Sequence, residues 1–180
     1  MPKSKSAYSV AGKKGKLDTH IIVVWVDNEA GVLARVVGLF SGRGYNIESL
    51  AVAEVDSKLN ISRITIVTTG TPKVVNQIKA QLNRMVPVHE VIDLTLKGKA
   101  VQRELAIFKV VANGNQRVES LRLADVFRAK VVDSTLKSFT FELTGTSEKI
   151  DAFAELMAPL GLEEIARTGI VALLRGDNSS

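Results

Sequence analysis

The run Trp25–Leu50, WVDNEAGVLARVVGLFSGRGYNIESL, decides how the rest of the chain is read. It starts at the end of an apolar strand, expected over His20–Val26, and turns through Asp27-Asn28-Glu29-Ala30-Gly31. A helix is expected next, because Val32, Leu33, Val36, Val37 and Phe40 fall on one face of a 3.6-residue period. Ser41-Gly42-Arg43-Gly44 supplies the stop, since glycine past the last turn takes the left-handed conformation at low cost. Tyr45-Asn46-Ile47 then enters a second strand, expected over residues 46–55.

The chemistry of this run lies at the start of its helix. The first turn of a helix leaves backbone N–H groups without partners, and the aligned peptide dipoles add partial positive charge there. A small carboxylate is a natural guest at such a place. Gly31 leaves the backbone uncovered, and Asn28 offers an amide oxygen and NH₂ beside it. The same residues also fit a plain structural role, with Asn28 or Asp27 capping the helix and Gly31 easing the turn. Local chemistry leaves both open.

Outward from this run, Ile61–Thr68 alternates as a third strand, with Ile64 and Ile66 on one face and Arg63 and Thr65 on the other. Thr71-Pro72 announces a helix striped by Val74, Val75, Ile78 and Leu82, and Pro87 precedes a fourth strand over Val88–Leu94. The order is β-α-β-β-α-β, the ferredoxin-like split unit. Lys97-Gly98-Lys99 marks a boundary, after which the order repeats in pattern. The second unit is expected as a strand over Glu104–Val111, a helix over Gln116–Phe127, and a hairpin of Lys130–Asp133 with Ser138–Leu143. A helix from a Ser147 cap through Leu160 and strands at Leu162–Ala166 and Ile170–Leu174 complete it. The fold class expected is α+β, two ferredoxin-like βαββαβ domains, spanning residues 18–96 and 97–176 between tails 1–17 and 177–180.

Composition narrows the function. The formal charge of +5 comes from Lys3, Lys5, Lys13, Lys14 and Lys16; removing those five from 24 basic residues leaves 19 against 19 acidic ones. The body is neutral and residues 1–17 read as a solvated, disordered basic extension. With no cysteine, disulfides and thiolate chemistry are excluded, and a cytoplasmic protein is the expectation. No apolar run approaches the ~20 residues that span a bilayer, so no membrane association is expected. His20 and His89 read as isolated titrating groups, and no metal-ligand spacing occurs. Gly42-Arg43-Gly44 follows a helix instead of preceding one, so it is not a phosphate loop. No catalytic constellation is found.

The Asp27–Leu50 run resembles the first strand, loop and helix of an ACT domain. It is similar, more narrowly, to the regulatory small subunits of acetohydroxyacid synthase, also called acetolactate synthase. Ser62–Val67, QLNRMVPVHEVIDL from Gln81, and ARTGIVALLRG from Ala166 fit the same family, so the resemblance extends over about residues 18 to 176. It implies an N-terminal ACT domain that pairs side by side with a second copy. It also implies a catalytic large subunit as partner, carrying thiamine diphosphate, Mg²⁺ and FAD, and feedback inhibition by a branched-chain amino acid, typically valine. Carried over by motif, Asn28, Gly31, Val32 and Leu33 of one protomer would face Asn46 and Ile47 of the other. No cofactor is expected on this chain. The alternatives are a stand-alone amino-acid-sensing regulator and an RNA-binding module. The second needs stacking aromatics on its central strands, where HIIVVWV and ISRITIVT offer only Trp25.

Overall fold

Strand β1 (Asp18–Asp27) is apolar on both faces, and its two faces organise the molecule. Ile22, Val24 and Val26 point one way and Ile21 and Val23 the other, all of them buried. In the computed structural model, which describes residues 16–97 and 100–176, each face of β1 receives its own cover. Residues 1–15 of the basic extension, the Gly98-Lys99 joint and the tail 177–180 lie outside the described residues.

The first unit runs β1, α1 (Val32–Ser41), β2 (Ser49–Asp56), β3 (Ile61–Gly70), α2 (Pro72–Leu82) and β4 (Val88–Asp93). Its antiparallel sheet has the order β2-β3-β1-β4, as the split βαββαβ unit requires. Helices α1 and α2 lie on one face, where Val36, Phe40, Val75, Ile78 and Leu82 pack onto Ile22, Val24, Ile64 and Ile66. A single-turn helix α3 (Leu94–Lys97), absent from the sequence expectation, leads out of β4. The second unit runs β5 (Ala100–Val111), α4 (Gly114–Phe127), β6 (Lys130–Ser134), β7 (Ser138–Gly145), α5 (Ser147–Met157) and β8 (Leu162–Arg167), with sheet order β6-β7-β5-β8. The two units are thus α+β ferredoxin-like repeats of one topology. Their cores differ: five of the six phenylalanines sit in the second, where Phe153 contacts Phe108, Phe127 and Phe141 at ring separations of 4.8, 5.2 and 6.1 Å.

Strand β5 begins at Ala100, four residues before the sequence expectation. Those four residues, Ala100–Arg103, pair with β9 (Val171–Leu174) instead of with the second sheet. The resulting ribbon covers the other face of the first sheet: Ala172 is buried with Ile21, Val23, Val67, Ile92 and Leu94, and Ala100, Ile170 and Leu174 pack around them. Arg63 braces this layer. Its guanidinium lies 5.4 Å from the Trp25 ring centroid, and it donates to Thr65 Oγ1 at 3.1 Å and to the Ala172 carbonyl. Burial pushes its pKa down from the usual arginine value.

Several local expectations shift. Helix α5 is capped by Thr146, whose hydroxyl accepts from the Lys149 N–H, while Ser147 donates to the buried Glu104 at 3.1 Å. Glu104 also takes two hydrogen bonds from Arg167, at 2.8 and 2.7 Å, which hold the guanidinium above its ordinary pKa. The left-handed glycine after α1 is Gly44, with φ +66°, whereas Gly42 is right-handed. Neither histidine stands alone: His20 Nδ1 lies 2.8 Å from Asp93 Oδ2 in the interior, and His89 Nε2 lies 2.7 Å from Asp27 Oδ1 at the surface. The family of ring contacts on Phe153 predicts that Phe153→Ala destabilises the chain by about 3–5 kcal/mol, checked by urea denaturation with a probe in each unit.

Candidate functional site

The turn between β1 and α1 is anchored through its backbone. The Asp27 N–H donates to the Pro87 carbonyl at 2.9 Å, and the Asn28 N–H to the Asn60 carbonyl at 2.7 Å. Asn60 Nδ2 returns a bond to the Asn28 carbonyl at 3.1 Å. Asn60 itself is left-handed, with φ +54°, a conformation asparagine tolerates better than most residues. This Asn28–Asn60 pair joins residues 32 positions apart, and no local sequence signal announces it.

Gly31 is the N-cap of α1, with φ +83° and no side-chain capping bond. The expected cap by Asn28 or Asp27 is therefore absent. Asp27 is engaged with His89, and Asn28 is exposed with its side chain outside the capping role. A Cβ placed on Gly31 would meet nothing within 4 Å, so the space before the helix is open. Glu29 accepts the Val32 N–H at 3.3 Å, and its carboxylate pairs with the Arg35 guanidinium. Among the described residues, the N–H groups of Ala30, Gly31, Leu33 and Ala34 have no protein partner. The turn thus presents several unpaired donors at the positive end of a helix.

The six residues singled out from sequence do not form one cluster within a chain. Gly31, Asn28 and Leu33 are exposed at the start of α1, Leu33 at 39%. Val32 points inward, buried at 7%, so it contributes packing under the turn and no free N–H. Asn46 and Ile47 lie at the other end of α1, since Thr68 Oγ1 donates to the Asn46 carbonyl at 2.6 Å and Ser49 pairs with Val67. Asp27 and Ile61 mark the opposite end of the sheet. The 10 residues of α1 separate the two groups by about 15 Å. A cavity of about 780 Å³ lies elsewhere, between the two units, and none of the six residues lines it.

Beside α1, strand β2 is the edge of its sheet, with Val52 44% and Val55 53% exposed. An edge strand carries a row of backbone groups ready to pair with another chain. Among the described residues no helix is long and apolar enough to cross a membrane, and no cluster of three potential metal-binding side chains occurs.

Residues 22–90 match the family model described as the AHAS small subunit-like ACT domain, and residues 103–176 match that of the small subunit of acetolactate synthase. The acetolactate synthase small subunit of Aquifex aeolicus is 46% identical over 164 residues, covering 91% of this chain and 84% of that protein. The acetolactate synthase isozyme 3 small subunit of Escherichia coli is 46% identical over 159 residues, covering 88% and 96%. The chain belongs to the acetolactate synthase small-subunit family. The crystal structure of the Thermotoga maritima small subunit is similar to it with a TM-score of 0.82 and 35% identity, covering 89% of this chain and 99% of that one. In family terms, the first unit is its ACT domain.

The Asn28–Asn60 clasp makes a testable demand. Asn60→Ala should cost about 1–2 kcal/mol through the left-handed backbone and the lost side-chain bond, while Asn60→Gly should lose only the bond. Urea denaturation of the two variants against the wild type measures the difference.

Proposed function

We propose that this chain is a non-catalytic regulatory subunit that raises the activity of an acetolactate synthase large subunit and confers feedback inhibition by a branched-chain amino acid, valine first. The observation that carries the reading is the set of unpaired N–H groups at the α1 turn beside an open Gly31. A ligand carboxylate placed there gains several backbone donors and the favourable end of the helix dipole. A valine side chain must also be buried, and one open helix end cannot enclose it.

A second copy supplies the missing wall. In an isologous dimer related by a two-fold axis, adjacent α1 helices run antiparallel. The N-terminus of each then meets the other end of its partner, where Asn46 and Ile47 stand. The exposed edge β2, on the same flank as α1, is the strand through which such a dimer extends its sheet. The carboxylate would be held by the turn at Asn28, Gly31 and Leu33, with Val32 packed beneath. Asn46 would be placed to meet the ligand's polar end and Ile47 its apolar one.

The chemistry of acetolactate formation, with thiamine diphosphate, Mg²⁺ and FAD, belongs in this reading to the large subunit. Purified chain, free of large subunit, should give no turnover of pyruvate when those cofactors are added; measurable acetolactate would refute the non-catalytic assignment. The RNA-binding alternative loses its platform, because the sheet face it would use is covered by the β5–β9 ribbon and Trp25 is stacked under Arg63.

Gly31→Asp tests the site. Two like charges about 4 Å apart at a partly exposed site repel by ~4 kcal/mol before screening, and a third of that weakens binding about tenfold. The expected result is a reconstituted complex still activated by the variant but resistant to valine. Gly31→Asn, with the same shape and the same left-handed backbone, should retain more inhibition. Inhibition of Gly31→Asp at wild-type valine concentrations would sink the placement.

A further inference from the structure

The segment Asn46–Ser49, which carries the Asn46 and Ile47 half of the proposed effector site, is held at three points besides its place in the sheet ladder. Two lie within its own unit: Thr68 Oγ1 donates to the Asn46 carbonyl at 2.6 Å, and the Glu48 N–H donates to the Val67 carbonyl at 2.8 Å. The third comes from 121 residues away, where the Ile170 N–H donates to Ser49 Oγ at 2.9 Å. Ser49 is the first residue of β2, two positions after Ile47.

Ile170 belongs to the link between β8 and β9, and this link is seated firmly on the second unit. The Thr168 N–H donates to the Leu105 carbonyl at 3.0 Å, and Thr168 Oγ1 accepts the Leu105 N–H at 3.2 Å. Arg167, immediately before it, is tied to Glu104 and Asp151. Gly169 turns the link with φ +80°. A Cβ on it would lie 2.7 Å from Ser49 Oγ and 3.3 Å from the Leu50 carbonyl oxygen, so the link's backbone rests directly on the start of β2. Around this point the units stand apart. The cavity of about 780 Å³ has Glu48, Ser49 and Leu50 on one wall and Glu104, Arg167 and Thr168 on the other.

We propose that the Ser49–Ile170 hydrogen bond, with Gly169 packed beside it, is a positioning contact that couples the effector site to the C-terminal unit. The proposal rests on the effector reading given above. A ligand that orders the Asn46–Ile47 turn fixes the direction in which β2 begins, and hence where Ser49 holds the link. The C-terminal unit receives that displacement through Thr168 and Arg167. By linkage the effect is reciprocal, so the link's seat on Ser49 also sets effector affinity. The cavity gives the two walls room to change separation while this contact holds, which packed walls would not.

The test uses the full chain reconstituted with the catalytic large subunit. Ser49→Ala removes the acceptor and adds no bulk. The loss of one neutral hydrogen bond is worth a factor of about three to ten. The valine concentration giving half-inhibition should therefore rise about three- to tenfold, with activation in the absence of valine unchanged. Gly169→Ala, which drives the link off Ser49 from the other side, should shift inhibition in the same direction. Wild-type valine affinity by calorimetry together with wild-type inhibition in Ser49→Ala overturns the coupling. A parallel fall in activation, inhibition and thermal unfolding midpoint also overturns it, since that marks a structural contact only. Failure of the wild-type chain to bind any branched-chain amino acid is a separate result, visible before any variant is made, and it removes the effector reading itself.

Discussion

Strand β1 is buried on both faces, and the rest of the structure follows from that constraint. An antiparallel sheet can leave one face to solvent, and its strands then alternate apolar and polar. Here Ile21 and Val23 are buried along with Ile22 and Val24, so two separate covers are required. Helices α1 and α2 supply one from within the unit. The other must be fetched from the far end of the chain, as β9 pairs with the first four residues of β5 and presses Ala172 onto the sheet. Two units of identical topology are thereby joined by an apolar layer beyond the linker.

Arg63 shows how that layer tolerates a charge. Between Trp25 and the Ala172 carbonyl, the guanidinium is half-desolvated, and its stack on the indole and its bonds to Thr65 and Ala172 offset the cost. The arrangement ties β3 to β9 with directional bonds where the neighbouring contacts are only apolar. Lysine, with no planar fork, could not both stack and reach the carbonyl. The Arg63 Nε has no partner among the described residues, so the site is not perfectly satisfied.

Much of this architecture was legible in the sequence because its period signals are strong. The stripe of α1, the alternation of β3 and the Thr71-Pro72 start of α2 all appear where the pattern places them. The unbroken run HIIVVWV announced β1 as an apolar strand, but neither its burial on both faces nor the identity of the second cover. Ala100–Arg103 and Val171–Leu174 are only four residues each, the first of mixed polarity, and their pairing is set by a partner about seventy residues away. The α5 cap moved from Ser147 to Thr146 for a similar reason. Two adjacent hydroxyls are locally equivalent, and only the tertiary demand of buried Glu104 assigns one of them elsewhere. At the candidate site, Gly31, the open helix end and the inward Val32 of the apolar stripe were legible, whereas the Asn60 clasp was not, because it depends on a contact distant in sequence.

A site divided between protomers has a consequence that local chemistry alone would not. In the separate chain, the N–H groups before α1 face water, and the Asn46–Ile47 turn stands about 15 Å off at the other end of the helix. A ligand that needs both halves binds the dimer far better than the single chain. Such a ligand stabilises the dimer by mass action, and the dimer raises ligand affinity by the same free energy. Effector affinity would then fall on dilution of the protein, even with every binding residue intact. In the proposed dimer the edge β2 and the α1 turn would act under this linkage as one thermodynamic unit, since the exposed Val52 and Val55 on the strand and Leu33 on the helix would be covered by the same association. A substitution confined to the β2 edge, remote from any ligand atom, would for that reason weaken effector binding at low protein concentration and leave it unchanged at high concentration.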